Sequence, residues 1–261
     1  MQKIVMRLII LGVTLTMIST LNSLLLVGES LTVETNEPLV TYNDTAYGIS
    51  IQYPSDWQID QSSNEYLLAI LQNLTSESRI TNDNQNNAIK AQVSNILDSF
   101  GLKSLSDISG MSPDKRTELI QKISQSFSEG NIRMIVKIIS PPEDEFDATA
   151  ESMNIVAENI SKALPMSLDD YMKASIEGLK TVFQDFTIVQ APTEIIINGK
   201  TGMTLVYTGR IGDIPVTGKN LVLVTIDGDT GYSITFGAVP ETYSVYEPTF
   251  QKMLNSFKIN D

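Results

Sequence analysis

Among the 261 residues there is no cysteine, no histidine and a single tryptophan. The first absence excludes disulfides, thiolate nucleophiles, iron–sulfur clusters, cysteine-bound zinc and a lipid-modified N-terminal cysteine. The second excludes a Ser-His-Asp triad, a histidine-ligated zinc and an imidazole proton shuttle. Positive charge is scarce too: 18 Lys and Arg stand against 31 Asp and Glu, for a formal net charge of −13. A polyanion with no Lys/Arg run to offset it repels phosphate backbones, so nucleic acid is not an expected partner. Most common hydrolase and metalloenzyme chemistries leave with these residues. What remains is chain enough for one or two domains.

The N-terminus carries an address. Lys3 and Arg7 precede an apolar run from Leu8 to Val27, which the polar Glu29 and Ser30 follow. That is the order of a secretory signal, and Gly28-Glu29-Ser30 offers a small-x-small cleavage site. The run has about the ~20 residues that span a bilayer, although Thr14, Thr16, Ser19, Thr20, Asn22 and Ser23 dilute it. Residues 1–30 therefore read as a signal peptide or an N-terminal membrane anchor, with 8–27 as the possible tether. Either way the rest of the chain is expected to be secreted or held on the outer face of the cytoplasmic membrane. A domain this large can be stable outside the cell without disulfides. Three N-x-[ST] triplets, at Asn43, Asn73 and Asn159, are candidate N-glycosylation sites that suit such an address.

Beyond a tether over 31–40, two textures alternate. Thr41–Ile59 reads as a β-hairpin, in which Ile49, Ile51 and Tyr53 alternate with polar residues and Trp57 anchors a core. From 61 to 130 the pattern is helical. Ser62-x-x-Glu65 is a capping box, Ile89, Val93, Ile96, Leu97 and Phe100 repeat at helical spacing, and Ser112-Pro113 starts a third helix. After Gly130 the strand period returns over 132–138 and 153–157. Ser167-x-x-Asp170 caps a helix carrying Leu168, Met172, Ile176, Leu179 and Phe183 on one face. Strands are expected at 186–189, 194–197 and 203–207, with a hairpin turn at Asn198-Gly199. Leu221–Ile226, apolar on both faces, reads as a central strand turned by Asp227-Gly228-Asp229, and a last helix is expected to begin near Pro248.

Three stretches carry a resemblance: YGISIQYPSDWQI (47–59), SLDDYMKASIEGLK (167–180) and FQKMLNSFKI (250–259), with INGKTGMTLVYTG between the last two. In this order they resemble the PsbP-like domain, a family that includes the extrinsic PsbP subunit of photosystem II and secreted relatives in non-photosynthetic microbes, archaea among them. The resemblance covers 41–60 and 131–261 and implies an α+β fold, an α-β-α sandwich around a central antiparallel sheet. The first stretch is expected to join the later strands in a single sheet, with 61–130 as an all-helical insertion. It also implies a non-enzymatic accessory character. The photosystem role and its metals are not carried over, since this chain has no imidazole to offer as ligand.

The remaining motifs have plain readings beside their chemical ones. Ser112-x-x-Lys115 with Lys200-Thr201-Gly202 mimics the nucleophile and K-T-G signature of penicillin-recognising enzymes, but Ser112 suffices as an N-cap and Lys200 as part of a hairpin. Asp227-x-Asp229-x-Gly231 hints at a calcium loop, yet Ala238 stands where the bidentate Glu is needed. The acidic loop Glu143, Asp144, Glu145 and Asp147, with Glu151 nearby, offers hard oxygens suited to Ca²⁺, or else a solvated turn. No catalytic residue and no cofactor other than that possible calcium is expected. The expected function is an exported, non-catalytic binding module acting at the cell surface on a protein partner or small ligand. A calcium-dependent envelope structural protein and a hydrolase with an atypical Ser/Lys or carboxylate site are the alternatives.

Overall fold

The computed structural model describes residues 37–60, 94–103, 107, 111–112, 115, 118–119, 122, 132–142, 150–163, 165–211 and 216–260. The chain divides into two compact units, Met1–Asp60 with Arg133–Asp261, and Gln61–Ile132. In the second unit, residues 94–99 are helical, Leu97 and Leu119 are buried, and the Lys122 ammonium lies 4.9 Å from the centre of the Phe100 ring. The expected signal or anchor lies outside the described residues. Among the described residues no helix is long and apolar enough to cross a membrane.

The described residues of the first unit form ten strands: β1 (Leu39–Asp44), β2 (Ile49–Pro54), β3 (Gln58–Ile59), β4 (Ile132–Ile139), β5 (Ser152–Asn159), β6 (Phe183–Ile197), β7 (Lys200–Ile211), β8 (Gly218–Asp227), β9 (Thr230–Ala238) and β10 (Lys258–Ile259). Helix α1 spans Leu168–Val182 and α2 spans Pro240–Ser256. Strands β6 to β9 form an antiparallel meander that places β9 beside β5, giving the seven-stranded order β3-β4-β5-β9-β8-β7-β6. Its last hairpin turns where predicted: Asp227 pairs with Thr230, and Gly228 takes a positive φ of 56°. Asn198 and Gly199, at φ 47° and 82°, make the tight turn between β6 and β7. Both central residues of such a turn need the left-handed region, which Asn and Gly enter at least cost.

Period-two alternation then sorts the sheet into two faces. Met153, Ile155, Val206, Leu221, Leu223, Ile234 and Phe236 face α2, whose Tyr243, Tyr246, Phe250, Met253 and Leu254 complete one core. Leu205, Tyr207, Val222 and Val224 face the other way, against Tyr171, Met172 and Leu179 of α1. This is the expected α-β-α sandwich. Ser167 caps α1 as its sequence foretells, its hydroxyl accepting from the Asp170 N–H at 3.1 Å.

Three expectations need correction. Residues 41–60 do pair with later strands, but in two sheets rather than a single one. The hairpin β1–β2 forms a separate three-stranded sheet with β10, and only Gln58–Ile59 join the main sheet, beside β4. The turn at Ser55–Trp57 separates the two sheets, and buries Trp57 against Tyr246 and Phe250 of α2 at ring distances of 6.2 and 6.4 Å. The two short strands expected at 186–189 and 194–197 are one strand, β6, which passes Pro192 through register shifts on an edge where no neighbour needs the missing N–H. The last helix begins at Pro240, in the first turn where the absent donor costs nothing, and runs through Pro248 because the buried stripe from Tyr243 to Leu254 holds both halves in the core.

Candidate functional site

The α1-facing side of the sheet contains an array of polar side chains that amphipathic patterning does not explain. The starting point is β4, where Val136 and Ile138 enter the α2 core while Lys137, between them, points to the opposite face and is 1% exposed. Its ammonium meets the Asp60 carboxylate at 3.1 Å, and the Asp60 N–H donates to the Lys137 carbonyl at 2.9 Å. Burial lowers the lysine pKa to about 8 against the raising effect of Asp60.

The next strand continues the array. Ser140 N–H donates to the Glu151 carbonyl at 2.8 Å, and counting back from that antiparallel pair puts Lys137 beside Asn154 of β5. Asn154 lies opposite Thr235 of β9, and one step along the strands Gly237 lies opposite Asn220 of β8, which in turn faces Tyr207 of β7. Asn154, Thr235, Asn220 and Tyr207 are all wholly buried. Both amide atoms of Asn154, both of Asn220, the Thr235 hydroxyl and the Tyr207 hydroxyl have no hydrogen-bond partner. Ser233, two residues along β9, adds another buried, unpartnered hydroxyl. Val156, Val222 and Leu205 interleave with them on the same face.

Lower on this face, Glu158 closes β5. Tyr171 of α1 donates to its carboxylate at 3.2 Å, and burial raises the Glu158 pKa to about 8 in spite of that bond. The hydroxyl end of the Tyr171 ring packs against Gly231, where a Cβ would meet it at 2.6 Å. Burial and the Glu158 carboxylate push the Tyr171 hydroxyl up as well. Near the opposite end, the buried Glu151 accepts from Ser140 at 3.1 Å and from Thr242, in the first turn of α2, at 2.6 Å.

The residues singled out in the sequence fall elsewhere. Glu143, Asp144, Glu145 and Asp147 lie outside the described residues, as does Asn73. Asn43 is exposed on β1, and Asn159 is exposed at the end of β5 with its Oδ1 accepting from the Ser161 N–H at 2.9 Å. Lys200 pairs with Asp227 at 2.7 Å, so both the K-T-G lysine and the first acid of the calcium-like triplet serve the β7–β8 side of the sheet. A recess lined by Ile197, Lys200, Gly202, Leu223, Thr225, Phe257 and Ile259 has ≈ 10 Å³ of room, about one water molecule. Among the described residues, no group of three or more acidic side chains is gathered to hold a metal.

No family model matches the sequence. A curated relative, described as "Probable transaldolase" from Dictyoglomus turgidum (strain DSM 6724 / Z-1310), is 32% identical over 110 residues, covering 41% of this chain and 50% of that one. The chain thus spans about half the length of the curated relative it matches. Among solved structures it is similar to cyanobacterial PsbP (CyanoP) from Synechocystis sp. PCC 6803, at 14% identity and a TM-score of 0.43, covering 89% of this chain and 98% of that one. The Saccharomyces cerevisiae Ran-binding protein Mog1p gives 11% identity, a TM-score of 0.43 and coverages of 87% and 97%. LpqN of Mycobacterium tuberculosis, involved in cell envelope biogenesis, gives 10%, 0.35, 50% and 79%.

Proposed function

We propose that the chain is an exported, non-catalytic module that works by binding, at the cell surface, a protein partner or a small ligand. One observation carries the reading. The two described ionisable groups most displaced toward neutral pH, Lys137 and Glu158, are each walled into the sandwich, beside Asp60 and Tyr171 respectively. General acid–base or nucleophilic catalysis needs such groups to converge on a reacting atom, and Lys137 and Glu158 each meet a structural partner instead. Export is supported by the order of charge, apolar run and small residues over 1–30.

The test uses full-length chain against envelope fractions and a panel of ester, phosphoester, amide and glycoside substrates. Saturable binding to the envelope, competed by unlabelled chain, with no turnover above background, is the expected result. Turnover that disappears in K137M would overturn the reading.

A further inference from the structure

Strand β6 ends the main sheet on the side away from β3, and its outer edge meets no other strand among the described residues. Sheets commonly keep such edges short or guard them with lysine, because a row of free N–H and C=O groups invites another chain. The other edge strands are short: β3 and β10 have two residues each and β1 has six. Strand β6 has fifteen, with no Lys or Arg among them. It also carries three exposed large apolar residues, Ile188, Val189 and Ile196, the last 65% exposed.

Register decides where this edge is open. Shifts fall between Gln184 and Thr187, Ile188 and Gln190, and Gln190 and Thr193, so Thr193–Ile197 is the stretch that runs opposite β7 without interruption up to the turn. Ile197 and Lys200 close a two-residue turn and exchange hydrogen bonds, as does every second pair behind them. The Thr193 carbonyl faces β7 accordingly, accepting from the Thr204 hydroxyl at 3.4 Å. The N–H and C=O of Glu194 and Ile196 therefore point outward, and by alternation their side chains share one face of the sheet. The stretch is also fixed in place. Asn198 donates to the Asn255 and Phe257 carbonyls at 3.1 and 2.6 Å, fastening the turn to the end of α2.

Charge selects the occupant. The Asp185 carboxylate is matched by the Arg210 guanidinium, whereas the exposed Glu194 has no ion-pair partner among the described residues. A second copy would bring another Glu194 and a net charge of −13 to the same edge, and like charges side by side weaken such pairing. We propose that the Glu194–Ile196 edge accepts an extended segment of a protein partner as an added antiparallel strand. That segment carries a Lys or Arg opposite Glu194 and a β-branched or aromatic residue two positions earlier, opposite Ile196. This rests on the binding-module reading and names the class of partner.

The experiment is fluorescence anisotropy of the full-length chain, in mild detergent, with the labelled peptide Ser-Val-Ile-Val-Lys-Val-Thr, whose Ile and Lys are placed to meet Ile196 and Glu194. Two further peptides serve as controls, one with Glu in place of Lys and one N-methylated at the Ile and Lys amides. The basic peptide is expected to bind saturably, roughly five- to tenfold more tightly than the acidic one. The N-methylated peptide, which loses two backbone hydrogen bonds, should bind roughly tenfold more weakly. E194K, at an exposed position, should invert the preference so that the acidic peptide binds better. No binding of the basic peptide overturns the proposal, as does an unchanged preference in E194K or full affinity of the N-methylated peptide. So does a dimer in sedimentation velocity that I196K dissolves, since the edge then belongs to a second copy. If envelope binding persists while these peptide preferences fail, the edge falls and the module reading stands; turnover on the substrate panel removes the module reading whatever the peptides do.

Discussion

The two faces of the seven-stranded sheet follow opposite rules. Toward α2 the core is apolar and aromatic apart from Glu151, held at its edge by Thr242: Phe250 has the rings of Trp57, Phe236, Tyr243 and Tyr246 within 6.4 Å. Toward α1 the same strands bury Lys137, Asn154, Glu158, Asn220, Ser233 and Thr235. Hydrophobic burial and aromatic contact are non-specific and additive in area, so the α2 face contributes stability. Buried polar groups contribute little net stability and much specificity of partner. One sheet thus carries an apolar face that holds the fold and a second face that buries a row of polar side chains.

The sharpest way to break this contrast is to damage each face at its centre. F250A should cost about 3–5 kcal/mol, the usual range for removing a buried phenylalanine, read as a lower urea midpoint. D60N removes the carboxylate that faces the wholly buried Lys137 ammonium, and breaking such a pair costs a similar ~3–5 kcal/mol. The faces differ in the repair. D60L/K137M, which replaces both charges by apolar groups, should recover most of that loss, because a buried ion pair is roughly neutral against a well-packed hydrophobic pair. No substitution partnered with F250A should do so short of refilling the ring's volume. A double variant as unstable as D60N would show that the pair itself holds β3 to β4.

A subtler difference lies in pH. Glu158 has its pKa raised by burial from 4.5 to about 8, so the folded state holds a proton that the unfolded state has released. Its contribution to stability is complete below about 4.5 and is lost as pH rises through about 8. Lys137 runs the other way: burial lowers its pKa from 10.5 to about 8, so its contribution is complete above 10.5 and lost as pH falls through about 8. Together they predict a stability minimum near pH 8 in urea midpoints measured across pH 5 to 11. E158Q should flatten the acid limb and K137M the alkaline limb. Because both groups sit on the α1 face, F250A should lower the whole curve and leave its shape intact.

How much of this contrast the sequence discloses depends on which face is asked. The α2 face is legible: Trp57, Ile234, Phe236 and Phe250 are large, apolar and correctly spaced, and only the first two turns of α2, Pro240 to Glu247, escape the sequence, because Pro248 resembles a helix start. Helix α1 is legible from Ser167 and Asp170. The polar array is not. Asn154, Asn220 and Thr235 lie on three strands far apart in the chain, and each occupies the polar position of an alternating pattern, which is the signature of a solvated face. Lys137 hides in the same way between Val136 and Ile138. Only the burial of all four, a tertiary property, marks them, and the register that aligns them depends on β9 returning beside β5. A weak signal lies in Gly231 and Gly237, residues without a side chain in a strand otherwise rich in β-branched and aromatic residues.

The helices repeat the comparison at the smallest scale. Helix α1 has a side-chain N-cap: Ser167 Oγ accepts from the Asp170 N–H and donates to its carboxylate at 2.8 Å. Helix α2 has none, for its N-cap position is Val239, at φ −73° and ψ 154°. An apolar core that grips six residues of α2 makes a cap dispensable there, whereas α1, lying on the polar face, needs its first turn fixed locally. S167A should therefore cost about 1 kcal/mol in thermal or urea unfolding. V239S supplies the missing acceptor in a backbone conformation that already suits it, and should return less than S167A removes, about 0.5 kcal/mol. Equal and opposite effects would mean that the two helices depend on their caps alike, and that the division of labour between the faces stops at the sheet.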